Sequence, residues 1–324
     1  MARGERDAGE CGGQRVISES PKVTDMPPAI ETHALTRDFG KLRALDNLDM
    51  TVEQGEIFGF LGPNGAGKST AIRLMLDFIR PTYGYARVMG FDCQADSMEV
   101  RRRVGYLPGD IRVYPALTGR ETIAFFCEMR GYSAAESGAL ELAERLQLRL
   151  DVKSGTYSKG NRQKLGIVLA LMGSPDVLML DEPSSGLDPL IQHELWTLLR
   201  EQAARGVTVF FSSHVMSEVE MVCERVAILR QGKLVALEGV AEMKTRAVRH
   251  LIARFADEVP PDGTFTFDGV RELRRERDLV ELEVQGEIDP VLKALSQHRV
   301  VDLVSEQPSL EELLMRFYER ERSS

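Results

Sequence analysis

Eight consecutive residues, Gly62-Pro63-Asn64-Gly65-Ala66-Gly67-Lys68-Ser69, carry the densest chemical signal in the chain. The spacing G-x-x-x-x-G-K-[ST] folds a loop whose backbone N–H groups turn inward, because glycine accepts conformations that a side chain forbids. Such a nest binds anions, and a helix beginning at its end adds its positive pole. Lys68 supplies a charge for the β- and γ-phosphates of a nucleoside triphosphate. Ser69 supplies a hydroxyl for the accompanying Mg²⁺. Gly62 through Thr70 are therefore candidate nucleotide contacts.

A second group lies farther along. Val177-Leu178-Met179-Leu180 runs directly into Asp181-Glu182. An apolar strand ending this way places two carboxylates beside the phosphate loop, since open α/β sheets bind ligands at the carboxyl ends of their strands. Asp181 would hold Mg²⁺, directly or through water, and Glu182 would polarise an attacking water. Between the two groups, Tyr157-Ser158-Lys159-Gly160-Asn161-Arg162-Gln163-Lys164 puts a serine cap and a glycine at a helix start. That segment is either a second phosphate contact or a plain capped helix. Taken singly, His214 reads as a packed or solvated histidine and Phe39 as a core side chain.

These residues need elements to position them. Ala44–Val52 reads as a strand with a turn at Gln54-Gly55, and Ile57–Leu61 as a buried parallel strand entering the glycine loop. Thr70–Phe78 has helical spacing, completing strand, loop and helix. Ser97–Arg103 is predicted helical and leads to a strand at Val104–Leu107. Helices over Arg120–Arg130 and Ala134–Leu148, and another over Ser158–Met172, form a helix-rich insert. Leu190–Ala204 is a helix and Val207–Ser212 a third buried strand. Val226–Leu229 and Lys233–Leu237 flank Arg230-Gln231-Gly232 as a hairpin. Beyond Met243, strands are expected at Leu251–Phe255, Leu279–Val284 and Val300–Val304. Asp289-Pro290 suggests a helix capped by Asp289. Ser309 with Glu312 makes a capping box for a last helix, to about Tyr318.

Composition narrows the class. The chain has 324 residues, 43% hydrophobic and 28% charged, with a net charge of −9. An acidic chain repels a phosphate backbone, so no nucleic-acid partner is expected. Arg271–Arg277 is interleaved with Glu272 and Glu276 and reads as a solvated charge run. Cys11, Cys93, Cys127 and Cys223 are too dispersed for a metal or disulfide framework, as suits a cytoplasmic protein. The longest apolar region, Ile167–Leu180, is interrupted by Gly173-Ser174-Pro175-Asp176, so a membrane span is not expected. Residues 1–28 read as a disordered arm without the apolar core of a signal peptide.

With these motifs in this order, the chain resembles an ATP-binding cassette (ABC) ATPase subunit over about residues 29–240. Gly62–Ser69 is similar to that family's Walker A and Val177–Glu182 to its Walker B. Ser158-Lys159-Gly160-Asn161 aligns with the signature L-S-G-G-Q. Ser184–Pro189, containing Asp188, is similar to the D-loop. His214 falls at the switch histidine, and Phe39 where an aromatic stacks on adenine. The resemblance implies an α/β fold: a P-loop NTPase cassette with a mixed sheet and a helical subdomain, plus a small C-terminal α+β domain. The expected division is a 1–28 arm, a 29–243 ATPase domain with its helical subdomain at about 108–172, and a 244–324 accessory domain.

The resemblance also implies two cassettes paired head to tail. Each ATP, with Mg²⁺, would lie between one subunit's loop and the other's Ser158, Gly160 and Asn161. Lys68, Glu182 and His214 would be catalytic, and Ser69 and Asp181 would be metal ligands. An integral-membrane permease would be a separate chain, leaving this one peripheral on the cytoplasmic face. Tyr106–Glu121 and the tail segment Pro308–Glu312 resemble exporters of the drug-resistance type. The alternative is a soluble ABC ATPase acting on ribosomes or another non-transport machine. Three positions depart from the family pattern. Gly109 stands where a glutamine is usual, so Asp110 or water is expected to fill its role toward Mg²⁺. Lys159 replaces a glycine, adding charge near a phosphate or pointing to solvent. Asn161 replaces the signature glutamine.

Overall fold

The computed structural model describes residues 27–306 apart from 134 and 247. Nearly all of the expected N-terminal arm, and the capping box at Ser309–Glu312, lie outside the described residues. The chain begins with long strands β1 (Ile30–Phe39) and β2 (Leu42–Val52). Strand β3 (Ile57–Leu61) enters the glycine loop and helix α1 (Lys68–Met75) leaves it. Then come β4 (Tyr83–Val88), β5 (Phe91–Asp92), α2 (Ser97–Arg103) and β6 (Val104–Leu107). The helical insert contains α3 (Gly119–Arg130), α4 (Ala139–Arg145) and α5 (Lys159–Leu171). It is followed by β7 (Val177–Asp181), α6 (Pro189–Ala204), β8 (Thr208–Ser213) and α7 (Met216–Val222). The hairpin β9 (Arg225–Arg230) and β10 (Lys233–Gly239) leads to α8 (Val240–Arg246). The remaining elements are β11 (Arg249–Phe255), β12 (Val270–Arg275), β13 (Leu279–Val284), α9 (Asp289–Leu295) and β14 (Val300–Glu306).

The central sheet has the order β10-β9-β3-β8-β7-β6. All its pairings are parallel except the β9–β10 hairpin. Its inner strands are apolar on both faces because both faces are covered. On β3, Phe58 and Phe60 enter a core shared with α1 and the antiparallel sheet β2-β1-β4-β5. Ile57 and Leu61 enter the opposite core, with α5 and α6. β7 divides in the same way, Val177 and Met179 against Leu178 and Leu180. A third sheet, β12-β13-β11-β14, has a separate core in which Leu251, Val280 and Leu282 pack with Val291 and Leu295 of α9.

Several boundaries depart from the sequence reading. α1 starts two residues before the expected Thr70, because the loop's last glycine already occupies the cap position. α4 starts at Ala139 rather than 134, since Ser133 and Glu136 exchange side-chain and backbone hydrogen bonds in a turn of their own. Asp289 is the first residue of α9 rather than its cap, and its carboxylate pairs with Lys293 at 2.6 Å. The arginine-rich stretch forms the edge strand β12, where Arg275 is bound bidentately by Glu272 at 2.6 Å. Short α7 was not expected at all. Among the described residues, no helix is long and apolar enough to cross a membrane.

One ion-pair network ties the helical insert to the central sheet's helices. Arg145 on α4 donates to Glu194 at 2.6 Å and, bidentately, to Glu201 at 2.6 and 2.9 Å on α6. The bond from Arg145 holds the Glu201 carboxyl below the usual glutamate range. A depressed carboxyl stabilises the fold above its unfolded pKa and loses that contribution as pH falls through the folded value. Arg145→Met is expected to lower stability at neutral pH by about 1–2 kcal/mol, more than an isolated surface pair because the pairing is bidentate and partly buried. Denaturant titrations should show the difference shrinking below about pH 4.

Candidate functional site

The register of the central sheet brings the distant motifs to one edge. Leu61 pairs with Ser213, Asp181 with Ser212, and Leu107 with Leu180. Thus the glycine loop, both carboxylates, the Ser212–His214 segment and Gly109 all leave the sheet at its carboxyl-end rim. This is the position at which open parallel sheets bind ligands.

The loop's geometry requires its glycines. A Cβ at Gly62 would lie 2.5 Å from the Leu229 carbonyl oxygen. Gly67 has φ +108°, and a Cβ there would lie 2.5 Å from the Ala44 carbonyl oxygen. The loop is buttressed from behind: Gly62 N–H donates to the Ser213 carbonyl at 3.2 Å, and Gly232 N–H to the Ala66 carbonyl at 2.9 Å. It lines an open cleft of about 660 Å³ together with Phe39, Gly109, Asp181 and Glu182. Phe39 is 45% exposed, with the Arg37 guanidinium 4.5 Å from its ring centre. An aromatic face at the mouth of a phosphate-binding cleft suits a nucleobase.

Lys68 is 6% exposed. Its ammonium donates to the carbonyl oxygens of Gly62 and, at 3.4 Å, Pro63, and lies 3.3 Å from Glu182 Oε1. His214 Nδ1 lies 2.6 Å from Glu182 Oε2, so its ring N–H donates to the carboxylate. Glu182 is therefore held from both sides, by a buried cation and a half-exposed imidazole. Oε1 is buried and makes no hydrogen bond beyond its ion pair. Glu182 also has φ +52°. That left-handed conformation costs a non-glycine residue of order 1–3 kcal/mol and persists where surrounding structure imposes it. Here Glu182 N–H donates to the Ser212 carbonyl and hydroxyl, both at 3.2 Å.

Asp181 is 4% exposed, and its Oδ1 accepts a hydrogen bond from the Ser212 hydroxyl at 2.6 Å. Its other oxygen faces Gly109, where an added Cβ would sit 3.2 Å away. Among the described residues, no cluster of three His, Cys, Asp or Glu could hold a metal alone. One buried carboxylate beside a loop serine does fit Mg²⁺, which takes one or two protein ligands and completes its shell with phosphate oxygens and water. Asp110 needs correction. It lines no part of the cleft, its side chain is 79% exposed, and it pairs with Arg112 at 3.3 Å.

Ser158, Gly160 and Asn161 also lie outside this cleft. Ser158 caps α5, accepting from Asn161 N–H at 3.2 Å. Lys159 is exposed to solvent, and its ammonium also donates to Ser185 Oγ at 2.8 Å. Asp188 caps α6, accepting from Ile191 N–H at 3.1 Å, and it too is not among the residues that line the cleft.

Two contributors escaped the sequence reading. Ser212 bonds both Asp181 and Glu182, yet in sequence it is only the polar end of an apolar run. Gln163 is 3% exposed and donates to the carbonyls of Glu182 at 3.1 Å and Pro183 at 2.9 Å. A glutamine entering an otherwise apolar helix face was the available signal.

A parallel sheet, a glycine loop at a helix start and an acidic strand end define a phosphate-loop nucleotide-binding protein of the α/β class. Residues 45–185 match the ABC transporter family. The chain is 36% identical over 236 residues to the "Bacitracin transport ATP-binding protein BcrA" of Bacillus licheniformis, covering 72% of this chain and 77% of BcrA. It is 36% identical over 239 residues to the "Probable multidrug ABC transporter ATP-binding protein YbhF" of Escherichia coli (strain K12), covering 72% of this chain but 40% of YbhF's length. A solved "Structure of ATP binding subunit of ABC transporter" superposes with a TM-score of 0.63 at 30% identity, covering 67% of this chain and 92% of that one. The chain belongs to the ABC transporter ATP-binding family, whose cassettes hydrolyse ATP to power transport.

Proposed function

We propose that this chain binds ATP with Mg²⁺ in the cleft above β3 and hydrolyses it to drive export through a separately encoded permease. The observation that carries the reading is Glu182, clamped between Lys68 and His214 at the rim of the phosphate loop. Water attacks the γ-phosphorus in line, and the bond to the β–γ bridging oxygen breaks to give ADP and phosphate. Glu182 orients the water and takes its proton; His214 steadies the carboxylate through Nδ1. Lys68 exchanges its loop carbonyls for phosphate oxygens when nucleotide enters. Ser69 and Asp181 would hold Mg²⁺, which supplies charge neutralisation for the phosphates.

Ser158, Gly160 and Asn161 do not line their own chain's cleft, which supports a second cassette as the partner that receives them. Residues 29–243 form the ATPase unit in this reading, and 244–324 an accessory unit with its own core. The names of BcrA and YbhF support a role in transport; in this reading the transport is export and the chain works on the cytoplasmic face of a membrane. The test is co-expression with a permease encoded beside it. Reconstituted vesicles should show Mg²⁺-dependent ATPase activity that rises with the permease. Co-purification with ribosomes and no membrane partner would refute export.

Gly109 offers a narrower check. Gly109→Ala would place a methyl group about 3.2 Å from Asp181 Oδ2. The Mg²⁺ concentration for half-maximal ATPase should rise about tenfold, the lower end of what disturbing a ligand's surroundings costs. Asp110→Ala, whose side chain points at Arg112, should leave that titration unchanged.

A further inference from the structure

Glu182 occupies a backbone conformation that its own side chain disfavours, so something must hold both sides of its peptide. Ser212 holds the N–H side. The carbonyl side accepts from Ser185 N–H at 3.1 Å within the following turn, and from Gln163 Nε2 at 3.1 Å. On the carbonyl side, among the described residues, Gln163 is the partner that reaches in from a different element. Its second bond, to the Pro183 carbonyl at 2.9 Å, fixes the next peptide as well. Gln163 is 3% exposed, on a helix whose Leu165, Ile167 and Val168 are also buried; there an unsatisfied polar group is costly and a satisfied one is rigid.

We propose that Gln163 is a positioning residue for ATP hydrolysis, holding the Glu182 peptide so that the carboxylate meets Lys68 and His214. The proposal rests on the role given to Glu182 above. Gln163 is not itself among the residues that line the cleft; it meets that lining at the Glu182 carbonyl. It sits in the first turns of α5, the helix that Ser158 caps. A shift of that helix therefore reaches the Glu182 peptide directly through Gln163, and less directly through Lys159 and Ser185. The segment offered to a partner cassette and the residue that activates water are mechanically joined within one subunit.

Gln163→Met keeps the side chain's length and removes both donors. Steady-state kcat should fall about tenfold to a hundredfold, the scale of a slightly misplaced catalytic group, while the ATP dissociation constant stays within about twofold. Two further variants separate positioning from packing. Gln163→His restores a ring N–H at similar reach and should recover part of kcat. Ile167→Val loosens the same helix in its core and should lower the melting temperature without changing kcat. Unchanged turnover in Gln163→Met would overturn the proposal. So would a loss confined to ATP affinity, or an equal loss of kcat in Ile167→Val. Glu182→Gln, assayed alongside, separates the two readings. If it is inactive while Gln163→Met turns over normally, only the positioning role fails; if it turns over normally, both fail.

Discussion

Glu182→Gln should retain ATP and lose turnover by about a hundredfold to ten-thousandfold, the range that a positioned general base contributes. The substitution preserves the volume of the side chain and its bond distance from His214, but an amide cannot take a proton from water. It also removes the charge that faces Lys68 at 3.3 Å, freeing the ammonium for phosphate oxygens. Binding should therefore be kept or strengthened while phosphate release stops. Equilibrium titration with nucleotide and a steady-state phosphate assay read the two effects separately. Phosphate release at the wild-type rate would remove Glu182 from the chemistry.

Lys68→Ala acts one step earlier. The ammonium is buried, bonded to the loop carbonyls and paired with Glu182. It is the only side-chain cation among the residues of the phosphate loop itself. A charge-assisted hydrogen bond is worth about 1.5–3 kcal/mol, which corresponds to roughly 10- to 100-fold in affinity. ATP binding by calorimetry should weaken by that factor, and turnover should fall with it. The protein without nucleotide should also melt earlier, because Glu182 Oε1 would be buried without the one partner it has among the described residues. An unchanged dissociation constant for ATP would contradict the role of Lys68.

The parts of this site that sequence reveals are those with local causes. Gly62–Ser69 declares its loop because glycine, lysine and serine must occur at fixed spacing to turn amides toward an anion. Val177–Asp181 declares a buried strand through an unbroken apolar run. What sequence conceals depends on register and on distant partners. Ser212 reaches Asp181 because β7 and β8 pair at that level, and no local pattern encodes the pairing. Gln163 meets Glu182 because α5 packs against the end of β7. Asp110 misled in the opposite direction: adjacency to Gly109 suggested a substitute ligand, whereas the backbone turns its carboxylate toward Arg112. Lys159 likewise found a partner, Ser185, that only the fold brings near. The charge run at Arg271–Arg277 hid β12, because an edge strand can expose charged side chains that mask the period-two pattern.

In the proposed function, one chain carries half of a shared catalytic site. Its cleft holds Lys68, Asp181 and Glu182, while Ser158, Gly160 and Asn161 lie away from it. The most direct measurement is sedimentation velocity of Glu182→Gln with and without Mg²⁺ and ATP. The account expects a shift to a dimer that retains ATP at both sites, abolished when Lys68→Ala is added. A species that binds ATP fully yet sediments as a monomer at every concentration would contradict it.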